Sequence, residues 1–238
     1  LVVVLHHIAF DGWSLSVMVQ EVAELYRSFC NGEPVSLPLP SIQYADYAIW
    51  QHRYLTEEVL GEQVGYWKSK LKGLAPVYLP TDFPRPVVQS TRGNTLYFKL
   101  DQQLSQQLEA LSKNEGVTLF MTMLSVFKVL LFRYTHQQDI SVGVAIANRT
   151  QKEVESLIGF FVNALAIRSQ VDKKMTFKEF LQQVKTTTLE GYAHQDVPFE
   201  KVIEAVVGKR DHVGNPLVQV MFVLQNTPDV PELNLGGV

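Results

Sequence analysis

The chain has 238 residues, of which 46% are hydrophobic and 19% charged, which is enough apolar material for one large domain or two smaller lobes with real cores. Its formal net charge of -3 and its lack of a dense Lys/Arg run argue against a nucleic acid or an anionic membrane surface as the main partner. The single cysteine, Cys30, excludes an internal disulfide and favours a reducing, cytosolic setting.

The first part of the chain predicts a strand followed by helices. Residues 1–5, Leu-Val-Val-Val-Leu, are typical of a buried strand. No initiator Met, cap or turn precedes them, so we expect the chain to start inside a domain. Ser14 is the candidate N-cap of a helix that ends at Gly32, and a further helical pattern runs through Leu71.

A proline-rich stretch over residues 73–95 has no sustained period and predicts a crossover between two packed units. After it, residues 96–100 alternate like a strand, and Asp101 and Thr118 are candidate caps of two helices. The second of these helices is strongly apolar but too short to span a bilayer, so we expect it to be buried. Strands are predicted near residues 139–146, 164–171 and 217–224, and helices near residues 177–192 and 199–207. The alternation predicts an α/β protein.

The sharpest chemical signal is His6-His7-x-x-x-Asp11-Gly12 at the end of the first strand. Neighbouring strand residues face opposite sides, so only one of the two histidines can look into a cleft. His7 is nearer the strand end, where an imidazole can reach a substrate. Asp11 can fix the local loop or pair with a distant arginine.

Other interpretations of these residues have to be weighed. The two histidines could be buried in a core with their ring nitrogens hydrogen bonded, and Asp11 could cap the next helix. A zinc site needs three or four convergent ligands, and no cluster at ligand spacing completes one with His6 and His7. The sequence also has no G-x-S-x-G elbow, phosphate-binding glycine loop or dinucleotide fingerprint.

Several blocks of the sequence, in order, resemble the condensation domain of non-ribosomal peptide synthetases. The first block, His-His-Ile-Ala-Phe-Asp-Gly-Trp-Ser, is similar to the active-site motif of that family. The family's earlier blocks are absent, so the resemblance implies a domain that lacks its N-terminal part. The matching blocks are residues 6–14, 44–51, 158–168, 194–200 and 210–217.

The resemblance implies an α/β, chloramphenicol acetyltransferase-like fold of two lobes with the active site between them. Residues 1–72 would be the C-terminal part of an incomplete first lobe, residues 73–95 the crossover, and residues 96–238 the second lobe. Donor and acceptor carrier proteins would deliver thioester-bound units on their own phosphopantetheine arms, and an adenylation domain would be adjacent in a multidomain chain. No metal or other cofactor would be bound by the domain itself.

The resemblance also suggests roles for individual residues. His7 would be catalytic, either removing a proton from the attacking amine or positioning that amine. The backbone N–H near Gly12 could stabilise the oxyanion. Asp11 would pair with Arg149, whose alternative is a solvated loop cation, and His6 would order the end of the strand. Asn215 would line the tunnel between the lobes, or else be a turn residue before Pro216.

For the remaining residues of these blocks a structural role is expected. Asp196 is predicted to cap a helix. His194 and His212 are assigned no chemistry. Five aromatic residues are expected in the core, namely Trp50, Phe160, Phe161, Phe199 and Phe222.

Three functions remain open at this point. The first is amide formation between two carrier-bound units. The second is epimerisation, or acyl transfer by a related enzyme with the same motif. The third is a non-catalytic platform that docks carrier or tailoring proteins. The intact His6-His7 motif favours catalysis over docking, and it argues against the heterocyclisation branch, in which aspartate replaces the first histidines.

Overall fold

The computed structural model describes residues 2–84, 86, 90–208 and 217–225. A short 3-10 turn, His7–Ala9, precedes the first helix. The helices are α1 (Gly12–Asn31), α2 (Tyr44–Tyr54), α3 (Glu57–Lys70), α4 (Gln102–Asn114), α5 (Leu119–Thr135), α6 (Lys152–Glu155), α7 (Phe177–Ala193) and α8 (Phe199–Val207). The strands are β1 (Asp139–Ile146), β2 (Asn163–Gln170) and β3 (Met221–Phe222).

The three strands form a sheet in the order β2-β1-β3. β1 and β2 are antiparallel along their full length, with Gly143 opposite Ala166. β3 is parallel to β1 and pairs with it only at Gly143 and Val144. A Cβ atom on Gly143 would lie 2.4 Å from Val218 Cγ1, so only glycine allows the chain before β3 to approach the centre of the sheet this closely.

The core lies between this sheet and the helices packed on it. Trp67 and Leu71, at the end of α3, are buried in the same cluster as Ile140 of β1. Leu181 of α7 is fully buried. Lys128 of α5 is completely buried as well, although its side chain ends in an amine. The sheet and α3 therefore share one apolar core, and the division of the chain at residues 73–95 stays a prediction.

Several elements lie where the sequence predicts them. The strand over residues 139–146 is confirmed residue for residue, and the helix over 199–207 likewise. Asp101 and Thr118 accept hydrogen bonds from the backbone N–H groups three residues ahead, as expected of N-caps. Gly32 ends α1 in the left-handed conformation, with φ of 66°.

Two predicted strands are wrong. Residues 2–6 belong to no ladder, and Val2 and Val4 are each 89% exposed. Residues 96–100 are also unpaired, with Leu96, Tyr97 and Phe98 exposed. Alternating or continuous apolar residues predict an extended segment, but a strand also needs a neighbour to satisfy its backbone, and none lies beside these segments in the described ranges. The strand predicted at 217–224 pairs only at Met221–Phe222.

Some predictions for individual side chains are also wrong. Asp11, and not Ser14, is the N-cap of α1. Asp196 accepts a hydrogen bond from the Tyr54 hydroxyl at 3.1 Å, and Pro198 occupies the N-cap of α8. Trp50 and Phe160 are each 39% exposed, whereas the core position expected for Phe161 and Phe199 is confirmed. Phe222 is partly buried against the core.

No single helix in the described residues is both long enough and apolar enough to cross a membrane. Helices α4 and α5 meet the requirement only as a pair, with a bend of 108° between them.

Candidate active site

His6 and His7 lie at a turn and not within a strand. His6 Nδ1 accepts a hydrogen bond from Ile8 N at 3.0 Å, so His6 caps the 3-10 turn that begins at His7. The side chain of His7 is exposed, and its ring lies edge to face with Phe160, at 5.3 Å between ring centroids and an interplanar angle of 90°. The turn therefore gives the two histidines different surroundings.

Asp11 is buried, and both of its carboxylate oxygens are hydrogen bonded. Oδ1 accepts from Ser14 N at 2.9 Å, from Ser14 Oγ at 2.7 Å and from Arg149 Nη2 at 3.1 Å. Oδ2 accepts from Phe161 N at 3.0 Å. Burial alone would raise the pKa of Asp11, but the hydrogen bonds from Phe161 and Ser14 and the charge of Arg149 outweigh it and hold the pKa below its usual value.

Arg149 forms the other half of a buried ion pair. Its side chain is 1% exposed, which rules out the alternative of a solvated loop cation. Nη2 donates to Asp11 Oδ1, and Nη1 donates to the carbonyl oxygens of Val154 and Leu157. The guanidinium carbon also lies 4.1 Å from the centroid of the Phe161 ring, within cation–π distance. Burial lowers the pKa of Arg149, and the charge of Asp11 opposes that shift.

This pair connects two distant parts of the sequence. Asp11 holds the start of α1, while Arg149 follows β1 and binds the loop that leads to β2. A buried charge is costly unless it is paired and hydrogen bonded, and breaking this ion pair would leave both charges in that state. The pair therefore holds the start of α1 against the loop between β1 and β2. The pairing that the sequence suggested is present, and the Asp11 side chain caps the helix as well.

Ser14 belongs to the same network, a role that sequence reasoning missed. Its hydroxyl is buried and lies 2.7 Å from Asp11 Oδ1, 3.0 Å from Arg149 Nη2, 3.0 Å from Gly159 O and 3.1 Å from Gly159 N. A hydroxyl has one hydrogen and two lone pairs, so these four partners exceed what it can satisfy at one time. The sequence offers one clue, which is that Ser14 lies three residues after Asp11. This spacing predicts that the two residues form the cap of a helix, but it does not predict the contacts of Ser14 with Gly159 and Arg149.

The loop at Gly159–Phe160–Phe161 is held at successive peptide groups. Ser14 contacts both backbone groups of Gly159, the Tyr44 hydroxyl donates to Phe160 O at 2.8 Å, and Phe161 N donates to Asp11. A Cβ atom on Gly159 would lie 2.3 Å from the Tyr44 ring, so glycine is required for this approach. The sequence predicted both phenylalanines as core, and only Phe161 is buried.

Two cavities lie beside this network. One of about 330 Å³ is lined by aromatic side chains that include Tyr44, Phe160 and Phe199. The other, of about 610 Å³, is lined by Trp13 and Arg149 among others. Asn148, which has a φ of 53°, lines both. His7 lines neither cavity and is connected to the smaller one through Phe160.

The structure leaves some predicted site residues without a test. Gly12 opens α1, and its role toward an oxyanion stays a prediction. Asn215 and His212 lie outside the described residues. His194 stacks on Tyr66, with ring centroids 3.8 Å apart, and Trp67 donates to its carbonyl oxygen. Among the residues that the structure describes, no three His, Cys, Asp or Glu side chains are grouped to hold a metal ion.

Comparison with known proteins identifies the family to which this chain belongs. The model of the condensation domain matches residues 1–233. A linear gramicidin synthase of Brevibacillus parabrevis is 49% identical over 226 residues, which are 94% of this chain and 4% of that protein. Phosphinothricin tripeptide synthetase PhsC of Streptomyces viridochromogenes is 42% identical over 96% of this chain and 21% of that protein. The chain thus spans a small part of these relatives.

Solved structures show the same similarity. The X-domain from teicoplanin biosynthesis matches with a TM-score of 0.82 and 27% identity, over 91% of this chain and 50% of that one. AB3403, a four-domain nonribosomal peptide synthetase, matches with a TM-score of 0.77 and 30% identity, over 92% of this chain and 16% of that one. The first condensation domain of the CDA synthetase, at 20% identity and a TM-score of 0.74, shares the fold, which is of the chloramphenicol acetyltransferase type. The chain belongs to the condensation domain family of non-ribosomal peptide synthetases.

Proposed function

We propose that this chain catalyses amide bond formation between a donor and an acceptor unit, both held as thioesters on carrier proteins. Family membership and the intact His6-His7-x-x-x-Asp11-Gly12 motif support this function. The single observation that carries it is the arrangement of the motif: His7 is exposed and contacts Phe160, which lines the smaller cavity, while Asp11 is fixed in a buried ion pair with Arg149.

In the proposed reaction, the α-amine of the acceptor attacks the carbonyl carbon of the donor thioester. The new C–N bond forms as the C–S bond breaks, and the sulfur leaves as the thiol of the donor carrier's phosphopantetheine arm. The amine loses one proton, and that proton ends on the departing sulfur. His7 either accepts the proton in between or holds the amine by a hydrogen bond. The backbone N–H near Gly12 would face the oxyanion.

The residues predicted to be structural act on the position of His7 and do not contact the substrate. His6 caps the turn on which His7 lies, and the ion pair between Asp11 and Arg149 ties the start of α1, which follows that turn, to the loop after β1. Neither side chain of the pair is exposed to a substrate, so we assign both a structural role. Asn215 keeps its proposed place in the tunnel wall. Carrier proteins and an adjacent adenylation domain are the proposed partners.

The test is single-turnover amide formation in the synthetase module that contains this chain, with both carriers loaded. His7→Ala is expected to lower the rate by about 10²- to 10⁴-fold, the usual contribution of general acid–base catalysis. His52→Ala, which removes an exposed histidine of α2, is the matched control and is expected to keep the parent rate. His7→Gln separates the two roles of His7, because glutamine donates and accepts hydrogen bonds but cannot take up the proton.

No amide product from a folded module would refute the proposal. Inversion of the donor's α-carbon without amide formation would instead indicate epimerisation. Both outcomes are read from the same reaction by mass spectrometry and chiral analysis of the released units.

A second function, a docking surface for another protein, is favoured by one comparison. The X-domain from teicoplanin biosynthesis has also been solved in complex with OxyB, and it matches this chain with a TM-score of 0.82 and 28% identity. A module that forms no product but binds a second protein of the same biosynthetic system would support docking. Catalysis remains the preferred proposal because the histidine motif of this chain is complete.

A further inference from the structure

His7 has few restraints from its own segment. It begins a 3-10 turn of three residues, and the residues before it belong to no ladder in the described part of the chain. The turn is closed by Ala9 N donating to His6 O at 3.1 Å, and the corresponding contact from Phe10 N to His7 O is longer, at 3.4 Å. These contacts fix the backbone of His7 but leave the orientation of its imidazole undetermined.

The contact that bears on the imidazole comes from Phe160, far away in the sequence. The two rings are perpendicular, with centroids 5.3 Å apart, which is the favoured geometry for an aromatic pair. Phe160 is also 39% exposed, although its neighbour Phe161 is buried. The Phe160 ring therefore lies at the surface, where it contacts the exposed side chain of His7.

The backbone that carries Phe160 is fixed on both sides. Gly159 N donates to Ser14 Oγ, and Phe161 N donates to Asp11 Oδ2. Between them, Phe160 O accepts from the Tyr44 hydroxyl. Successive peptide groups are therefore bound to α1 and α2, so the Phe160 ring projects from a rigid base.

We propose that Phe160 is a positioning residue for His7, holding the imidazole in the orientation that the reaction requires. The inference rests on the proposed amide-forming function for its catalytic consequence, but the contact itself does not depend on that function. The buried network of Ser14, Asp11 and Arg149 then has a second effect besides joining α1 to the β1–β2 loop. It places the Phe160 ring against His7.

This role has a defined catalytic consequence. An imidazole that rotates freely spends part of its time away from the reacting amine, and small displacements of a reacting group cost large factors in rate. Losing Phe160 should therefore slow the bond-forming step. It should leave carrier binding unchanged, because the proposed role of Phe160 is confined to its contact with His7.

The kinetic test uses the complete synthetase module. Phe160→Ala is expected to lower the single-turnover rate of amide formation by about 10- to 100-fold. The acceptor-carrier concentration that gives half the maximal rate is expected to stay the same. Phe160→Tyr keeps the ring and is expected to recover most of the lost rate. Phe177→Ala is the matched control, since Phe177 is 37% exposed and lies at the start of α7.

A second readout does not require activity. Diethyl pyrocarbonate modifies accessible imidazoles, and peptide mass spectrometry gives the modification rate of His7, with His52 as the internal reference. Phe160→Ala is expected to speed modification of His7 by about 2- to 10-fold, the factor that corresponds to one aromatic contact. Phe177→Ala is expected to leave the ratio of the two rates unchanged.

The outcomes separate this proposal from the function on which it rests. If the parent module forms no amide product, the proposed function fails, and if His7→Ala keeps the parent rate, the catalytic role of His7 fails. In either case the modification rate still decides whether Phe160 holds His7. A slower reaction in Phe160→Ala with unchanged His7 modification would assign Phe160 to the substrate path and overturn the positioning role. Parent values in both measurements would overturn it as well.

Discussion

Replacing Lys128 by methionine perturbs the core at a fully buried, ionisable position. Lys128 Nζ donates to Ile167 O and to Ser169 Oγ, at 2.7 Å each. Burial lowers the pKa of Lys128 to about 7, and the charge of Lys70 acts in the same direction while Asp139 opposes it. The folded chain therefore holds this ammonium at a cost.

The cost follows from the difference between the folded and unfolded states. The ordinary pKa of the lysine is 10.5 and the folded value is about 7, which at about 1.36 kcal/mol per pKa unit amounts to about 5 kcal/mol. Between these pH values the unfolded chain binds the proton and the folded chain does not. The free energy of unfolding should therefore rise as the pH increases from about 7 to about 10.5, and below pH 7 the full cost is present.

Methionine is similar in length and carries no charge, so Lys128→Met removes this cost. It also leaves Ile167 O and Ser169 Oγ without their donor, at about 1.5 kcal/mol for each of the two groups. We expect the variant to be more stable than the parent by about 2 kcal/mol near pH 6.5, and less stable near pH 10.5, where the parent lysine is neutral and keeps both hydrogen bonds.

The assay is urea denaturation of parent and variant across this pH range. Lys113→Met, which removes an exposed lysine of α4, is the control and should keep the parent's dependence on pH. The reasoning is refuted if Lys128→Met retains the parent slope, or if the two stability curves do not cross.

Two further substitutions test the network at the candidate active site. Asp11→Asn leaves the buried Arg149 without its counter-charge, and urea denaturation at pH 7 should show a loss of about 3–5 kcal/mol. Because the pKa of Asp11 is lowered in the folded chain, the parent's advantage should shrink as the pH falls through that folded pKa, and an advantage unchanged at low pH would contradict the assignment. Gly159→Ala forces a Cβ atom against the Tyr44 ring and should cost about 1–3 kcal/mol in thermal or urea unfolding. Its control is Gly61→Ala in α3, where a Cβ meets nothing within 4 Å and helix propensity predicts a gain of about 0.5–1 kcal/mol; equal effects at the two glycines would contradict the close approach at Gly159.

Local sequence signals predicted the parts of the fold that depend on local chemistry. The apolar run at β1 and the caps Asp101 and Thr118 were recognised because strand patterning and capping act over a few residues. The segments at 2–5 and 96–100 carry the same kind of pattern, yet they are unpaired in the described chain. Pairing depends on a distant partner, which residue patterning does not contain.

Only part of the candidate site could be predicted, because most of its contacts also depend on distant partners. The pairing of Asp11 with Arg149 came from the resemblance to a family and not from spacing, since the two residues are far apart in the chain. The positions of Ser14 and Phe160 were misjudged because their partners are backbone groups and a ring brought together by tertiary packing. An aspartate followed three residues later by a serine predicts a helix cap. The same pattern occurs whether or not the serine hydroxyl also bonds to a distant loop, so the contact of Ser14 with Gly159 could not be predicted.

The long separation between Asp11 and Arg149, 138 positions along the chain, bears on the order of assembly. A contact between distant residues requires closing the loop between them, which costs conformational entropy. We therefore expect the Asp11–Arg149 ion pair to form late in folding. The amide hydrogen of Phe161, which donates to the Asp11 carboxylate across 150 positions, would then gain protection from exchange only after the sheet is protected, whereas Ser14 N, three residues from Asp11, can be protected as soon as α1 forms. A half-assembled chain would contain helices and a sheet and still lack the ion pair that joins α1 to the loop after β1.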